Sequence, residues 1–246
     1  MTLAVHDIEA IHNILVGWFS DTEDPVSPPG VRDETLLESA AARPDHTVGQ
    51  KPAYIDQFER AAALFHSLVN NHPFHNGNKR VALVSAQVML AEDGYWLEEA
   101  TDDEMYEFAR QAATHELTEK REDEINVISE WLRNASRKTI KGEHPLKFGA
   151  LKQNLKKFGY ELDEPGAGNV LSIYKDGAIV GTILKQGIQG FRPYHTDYIS
   201  GLRKRLGLTP ENGVDSARFY GQKGLSEVAS DFIDLRTEVM KKLAKT

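Results

Sequence analysis

Val81 to Ala91 reads VALVSAQVMLA, a stretch apolar nearly all round. A helix with one apolar stripe can lie on a surface, but a helix apolar on every side must be enclosed. The stretch therefore predicts a helix at the centre of a bundle, and it obliges the rest of the chain to supply amphipathic helices around it. Such segments are present. His6 to Phe19 puts Ile8, Ile11, Leu15 and Trp18 on one face, and Pro52 to Asn70 does the same with Ile55, Phe58, Ala62, Phe65 and Val69, the proline being tolerated in the first turn. Thr101-Asp-Asp-Glu104 is a capping-box signature opening a helix that buries Met105, Phe108 and Ala112. A further helix is expected from about Glu122 to Arg137, with Ile125, Ile128 and Leu132 inward. Between these, Ser20 to Gly49 reads mostly as loop with a short helix at Leu36 to Ala42, and Tyr95 to Glu98 as a short extended bridge.

The pattern changes after Thr139 to Pro145, the expected linker. Leu146 to Phe158 is a basic amphipathic helix. Tyr160–Asp163, Val170–Tyr174 and Ala178–Leu184 read as strands separated by Pro165-Gly-Ala-Gly168 and Lys-Asp-Gly turns; Thr196 to Leu206 and a long helix from Ser226 to Leu243 follow. Charge divides with it: residues 1–140 hold 12 Lys/Arg against 25 Asp/Glu, and residues 141–246 hold 17 against 12. The expected organisation is a mainly α-helical domain over 1–138, a linker over 139–145, and a small basic α+β domain over 146–246. The α–β–β–β–α order resembles compact RNA-binding folds in outline. Lys156-Lys157 and Arg203-Lys204-Arg205, with Tyr194, His195 and Tyr198, could meet nucleic acid through charge and stacking, or an acidic protein surface instead.

The chain has no cysteine, which excludes disulfides and thiolate metal sites and suits a reducing cytoplasm. No apolar run reaches the ~18 residues of a membrane span, and MTLAVHDIEA lacks the cationic-then-apolar pattern of a secretion signal. A soluble cytoplasmic protein, with no membrane partner, is expected.

Chemistry concentrates in HPFHNGNKR, His72 to Arg80, between the second amphipathic helix and the central one. Pro73 cannot continue a helix, so the chain turns there. The first turn of the next helix offers unpaired N–H groups and the positive end of the macrodipole. Gly77 lets backbone approach a ligand, Asn78 tolerates unusual dihedrals, and Lys79 and Arg80 add charge, Arg80 as a bidentate phosphate clamp. His72, with an ordinary pKa near ~6.5, is the side chain suited to general-base work. Phe74 reads as an anchor for the loop, and His75 as a loop or pocket-wall residue. Together the nine residues describe a site that transfers part of a nucleotide to a hydroxyl.

These residues resemble the signature of the Fic/Doc superfamily, His-x-Phe-x-(acid)-Gly/Ala-Asn-Gly/Lys-Arg, with His72, Phe74, Gly77, Asn78 and Arg80 at the expected spacing. The resemblance covers roughly residues 1–138 and implies an all-helical catalytic domain. It implies His72 as base and Lys79 and Arg80 as the cations of the reaction. The nucleotide, ATP, would be held by Phe74, Gly77, Asn78, Lys79 and Arg80. Lys79, where AMP-transferring members have Gly, resembles the Doc (death-on-curing) branch, whose members are toxins that phosphorylate a translation factor using ATP. Asn76 stands where the family places the acid that holds Mg²⁺, and would be a weaker, neutral ligand for that ion. In the family the stretch before the motif includes a flap that docks the target.

The leading expectation is a Doc-like, toxin-type transferase that phosphorylates a Ser or Thr hydroxyl of a protein. Transfer of AMP is the alternative within enzymes, and a non-catalytic nucleotide-binding domain fused to a nucleic-acid- or partner-binding module is the alternative outside them. The family's self-inhibiting Ser/Thr-x-x-x-Glu-Gly/Asn helix is absent: Thr139 to Glu143 has the spacing but is followed by His144. Control by a separate antitoxin protein is therefore expected.

Overall fold

The structure, a computed structural model, describes residues 2–164, 168–187, 192–221 and 223–245. In chain order, α1 (Val5–Trp18) and α2 (Glu34–Ala42) precede a two-stranded hairpin of β1 (Thr47–Val48) and β2 (Lys51–Pro52). Next come α3 (Gln57–Asn71), α4 (Asn78–Glu92), β3 (Tyr95–Leu97), α5 (Asp102–Thr114), α6 (Glu124–Ala135) and β4 (Ser136–Lys138), which pairs antiparallel with β3. Then follow α7 (Phe148–Lys156), β5 (Tyr160–Leu162), β6 (Val170–Lys175), β7 (Ala178–Leu184), α8 (Thr196–Arg205) and α9 (Ser216–Tyr220). The chain closes with α10 (Leu225–Leu235) and α11 (Thr237–Ala244). No helix among the described residues is long and apolar enough to cross a membrane.

Two compact units result: Met1–Lys138 together with Lys223–Thr246, and Thr139–Gln222. The first is helical around α4, in which every residue from Arg80 to Leu90 is buried. Helices α1, α3, α5, α10 and α11 pack against it, as an all-apolar helix requires. Its polar Gln87 is satisfied inside the core: it accepts from Leu97 N at 2.8 Å and donates to Tyr95 O at 3.2 Å, fastening β3 to α4. The second unit is an antiparallel sheet of order β5-β6-β7 with α7, α8 and α9, around a core of its own that includes Leu151, Ile173, Ile199 and Phe219. The turn expected at Pro165-Gly-Ala-Gly168 falls on residues 165–167, outside the described residues.

Four expectations need correction. Residues 223–246, expected in the basic domain, belong to the first unit: Phe232, Ile233, Val239, Met240 and Leu243 lie in its core. The long closing helix is broken at Arg236, whose guanidinium donates to Leu97 O, Ala100 O and the Asp102 carboxylate at 2.7–2.9 Å. Such bonds join residues more than 130 positions apart and leave no local pattern. The helix expected from Pro52 starts instead at Gln57. There Asp56 accepts from the N–H groups of Phe58 and Glu59 and Glu59 reaches back to the Asp56 N–H, while Pro52 lies in β2 and Ile55 is 84% exposed. In α1, likewise, Trp18 is exposed and Phe19 enters the core in its place.

Candidate active site

Helix α3 ends at His72, which takes a left-handed conformation (φ 49°, ψ 55°) ahead of Pro73. That turn throws the imidazole outward: His72 is exposed, and its ring makes no hydrogen bond among the described residues. Partial desolvation, then the charges of Arg32 and Lys79, lower its pKa, so the neutral imidazole that a general base requires is favoured.

The loop after it is held by its own amides. Asn78 accepts from Phe74 N at 2.9 Å and donates to Phe74 O at 3.0 Å, closing residues 74–78 into a ring. Gly77 caps α4 at φ 83°, and a Cβ there would come within 3.0 Å of Val26 Cγ1. Glycine is needed both for the dihedral and for the space. Asn76 accepts from Gly77 N at 2.6 Å and donates to Ser27 O at 2.8 Å.

Arg80, at the third position of α4, is 1% exposed, and its Nε and Nη1 have no hydrogen-bond partner. The guanidinium lies 5.4 Å from the Phe19 ring centroid. Burial lowers its pKa, and the charge of Asp24 opposes that shift. Lys79, half-buried, is lowered by burial and then by Arg80. An unsatisfied buried guanidinium beside the N-terminus of a helix is a strong attractor for an anion of phosphate type.

Thus the structure gathers His72, Asn76, Gly77, Asn78, Lys79 and Arg80 on one short turn. Two of the expected roles change. Phe74, expected among the nucleotide contacts, is 1% exposed and stacks on His12 with ring centroids 4.3 Å apart, so it anchors the loop. The Asn78 side chain, expected among the nucleotide contacts, is turned to the Phe74 backbone, which takes its oxygen and one of its two N–H donors. The donors present do not fit a magnesium ion held by the protein. The Asn76 oxygen is neutral and already accepts from Gly77, and no group of three His, Asp or Glu suited to a metal occurs among the described residues.

In the stretch before the motif, where the resemblance implies a flap, the sequence left open which residues meet the loop. Residues 28–33 run antiparallel along the loop, with a bridge between Val31 and Phe74. Arg32 N and Asp33 N donate to Pro73 O at 2.7 and 3.1 Å, and His75 N donates to Gly30 O at 3.1 Å. Arg32 Nη2 reaches Asn71 O at 3.2 Å, which brings its charge near His72. The available signal was His12, a polar residue among Ile8, Ile11 and Leu15 on the buried face of α1.

Elsewhere, a cavity of about 390 Å³ is lined by Asp103, Glu104, Glu107, Phe108, Gln111, Leu117 and Trp131. Its carboxylates are engaged by Lys242, by the Thr101 cap and by Arg110 respectively, and it lies apart from the loop. The basic cluster of the second unit is not one surface. Arg203 is buried against Glu143 at 2.8 Å and Tyr194 is a core residue, while Lys156, Lys157, Lys204 and Arg205 stay exposed. Glu143, the glutamate of the near-match to the inhibitory pattern, is the buried partner in that ion pair.

Residues 2–90 match the sequence model of a family described as Fic/DOC. The chain is also similar to a protein named Toxin Doc from Mycolicibacterium smegmatis (strain ATCC 700084 / mc(2)155). The two are 45% identical over 67 residues, 27% of this chain and 52% of that protein. The chain thus spans about half the length of the curated relative it matches.

Proposed function

We propose that the N-terminal part of the chain is a Fic/Doc domain of the Doc-like branch, and that the protein is a transferase that uses ATP to phosphorylate a Ser or Thr hydroxyl of a target protein. The observation that carries this reading is Arg80: a buried guanidinium with two unpartnered nitrogens at the start of α4, at the other end of the motif loop from an exposed histidine with a lowered pKa. The phosphates of ATP would lie over the first turn of α4, with Arg80 clamping oxygens from beneath and Lys79 beside it. His72 would take the proton from the attacking hydroxyl. Phosphoryl transfer asks little more of a protein than positioning and charge compensation, which this set supplies. Magnesium would enter on the nucleotide's own phosphates and water. The name of the similar toxin supports a protein target and a separate antitoxin that restrains the activity.

ATP labelled separately at the α and γ phosphates, incubated with cell lysate, tests the reading. We expect γ label on a protein band, lost in His72→Ala while the melting temperature is kept. The α label on protein would mean AMP transfer instead. Neither label on any protein, with ATP still bound, would leave a nucleotide-binding domain without transferase activity and overturn the proposal.

A further inference from the structure

His12 is 1% exposed, makes no ion pair among the described residues, and takes no direct part in the chemistry above. Its contacts are specific. Nε2 accepts the Gly30 N–H at 2.9 Å, which requires that nitrogen to be unprotonated, and the ring lies nearly parallel to Phe74, 13° between planes. Nδ1 is buried without a partner. Gly30 is thereby gripped on both sides: His12 takes its N–H, and its carbonyl accepts from His75 N. Gly30 itself sits at φ 96°, a conformation in which a side chain would be strained. One imidazole on α1 thus touches both the 28–33 segment and the anchor of the motif loop.

The geometry points to His12 as a positioning residue that sets the 28–33 segment against the motif loop, and through it the place of an acceptor hydroxyl beside His72. Three consequences of the contacts lead there. The bonds of Arg32 N and Asp33 N to Pro73 O tie the segment to the residue next to His72. Arg32 follows Gly30 by two positions, so a shift of Gly30 moves a cation that stands near the base. The nucleotide's binding groups, by contrast, lie on α4 and do not depend on the Gly30 N–H. Loss of the His12 acceptor should therefore loosen the acceptor side of the site and leave the nucleotide side intact. A burying aromatic at position 12 keeps the stack on Phe74 but cannot accept from Gly30; glutamine keeps an acceptor.

The inference rests on the transferase reading for one of its readouts, so the test has a second that does not. Full-length wild type, His12→Phe and His12→Gln are compared by amide hydrogen exchange at Gly30 and His75, by ATP affinity, and by γ-label transfer to protein. For His12→Phe we expect exchange at both amides to rise and transfer to fall, each by about tenfold, the scale of one lost buried hydrogen bond. ATP affinity should stay within about twofold, and His12→Gln should recover most of both losses. A phenylalanine variant as protected and as active as wild type overturns the proposal. So does a glutamine variant no better than phenylalanine, or ATP affinity falling in step with transfer, since either marks a general packing role. If wild type transfers no label, the transferase reading fails separately and exchange alone decides: Gly30 protected with glutamine and unprotected with phenylalanine upholds the positioning role, and equal exchange overturns it.

Discussion

Two arginines are buried among the described residues, one in each unit, and they are held in opposite ways. Arg203 is fully answered: Nη1 donates to Glu143, Nη2 to Val214 O and Nε to Leu208 O, with Phe219 and Tyr220 around its guanidinium. Arg80 is not, since its Nε and Nη1 meet no acceptor and Asp24 acts on it only through its field. A buried cation with every donor satisfied organises a fold, whereas one left without acceptors is a cost the fold carries for a ligand. Burial and residue type are the same in both places. What separates a structural arginine from a functional one is the list of its acceptors.

The largest expected effect tests that distinction directly. Arg80→Met should reduce label transfer by roughly 10³-fold, as loss of a charge-stabilising arginine does in phosphoryl transfer, with the melting temperature unchanged or raised. Arg203→Met should do the reverse. It strands Glu143 in the core and should cost about 3–5 kcal/mol in denaturant unfolding of the second unit. Transfer per folded molecule should be unaltered, and the double replacement of Arg203 and Glu143 by Met should recover most of that loss.

Neutral groups sharpen the comparison on a smaller scale. Burial, then the charge of Arg80, lowers the pKa of His12 to about 4. The unfolded chain therefore takes up the proton first. His12's contribution to stability is complete above the ordinary value near ~6.5 and is lost as pH falls from there towards 4, a change on the order of 3 kcal/mol. Melting curves between those limits should show this acid limb, and His12→Gln should flatten it. Asn76 is the opposite case, satisfied at both ends of its amide. Asn76→Asp removes the donor to Ser27 O and sets a carboxylate oxygen against a carbonyl. The expected cost is about 1–2 kcal/mol, read as a lower denaturation midpoint. A midpoint that does not move would show that the Ser27 contact contributes nothing.

How far the molecule was legible depends on how local the encoding is. The central α4, the Thr101–Glu104 capping box of α5 and the three strands of the second unit follow from periodicity and turn residues a few positions apart. The helical period extends α3 too far back because Ile55 fits it, yet Asp56 is the cap. In the second unit, Arg203-Lys204-Arg205 reads as one basic patch. Helix geometry turns the first of them inward, to a glutamate 60 residues away.

Sequence by itself determined the chemical content of this protein: a helix that must be enclosed, a loop with a base, a glycine and two cations before it, and a change of charge between its parts. Tertiary structure alone decided which of those groups are available. The Asn78 amide is occupied by Phe74, the Asn76 amide by Gly77 and Ser27, and the Arg203 guanidinium by Glu143, whereas Arg80 is left without acceptors. It also laid residues 28–33 along the motif loop and placed His12 between the two. The physical reason is that side-chain type and spacing specify what can be donated or accepted. Which partner is met depends on hydrogen bonds between residues tens of positions apart, and only the packed chain brings those within 3 Å of one another.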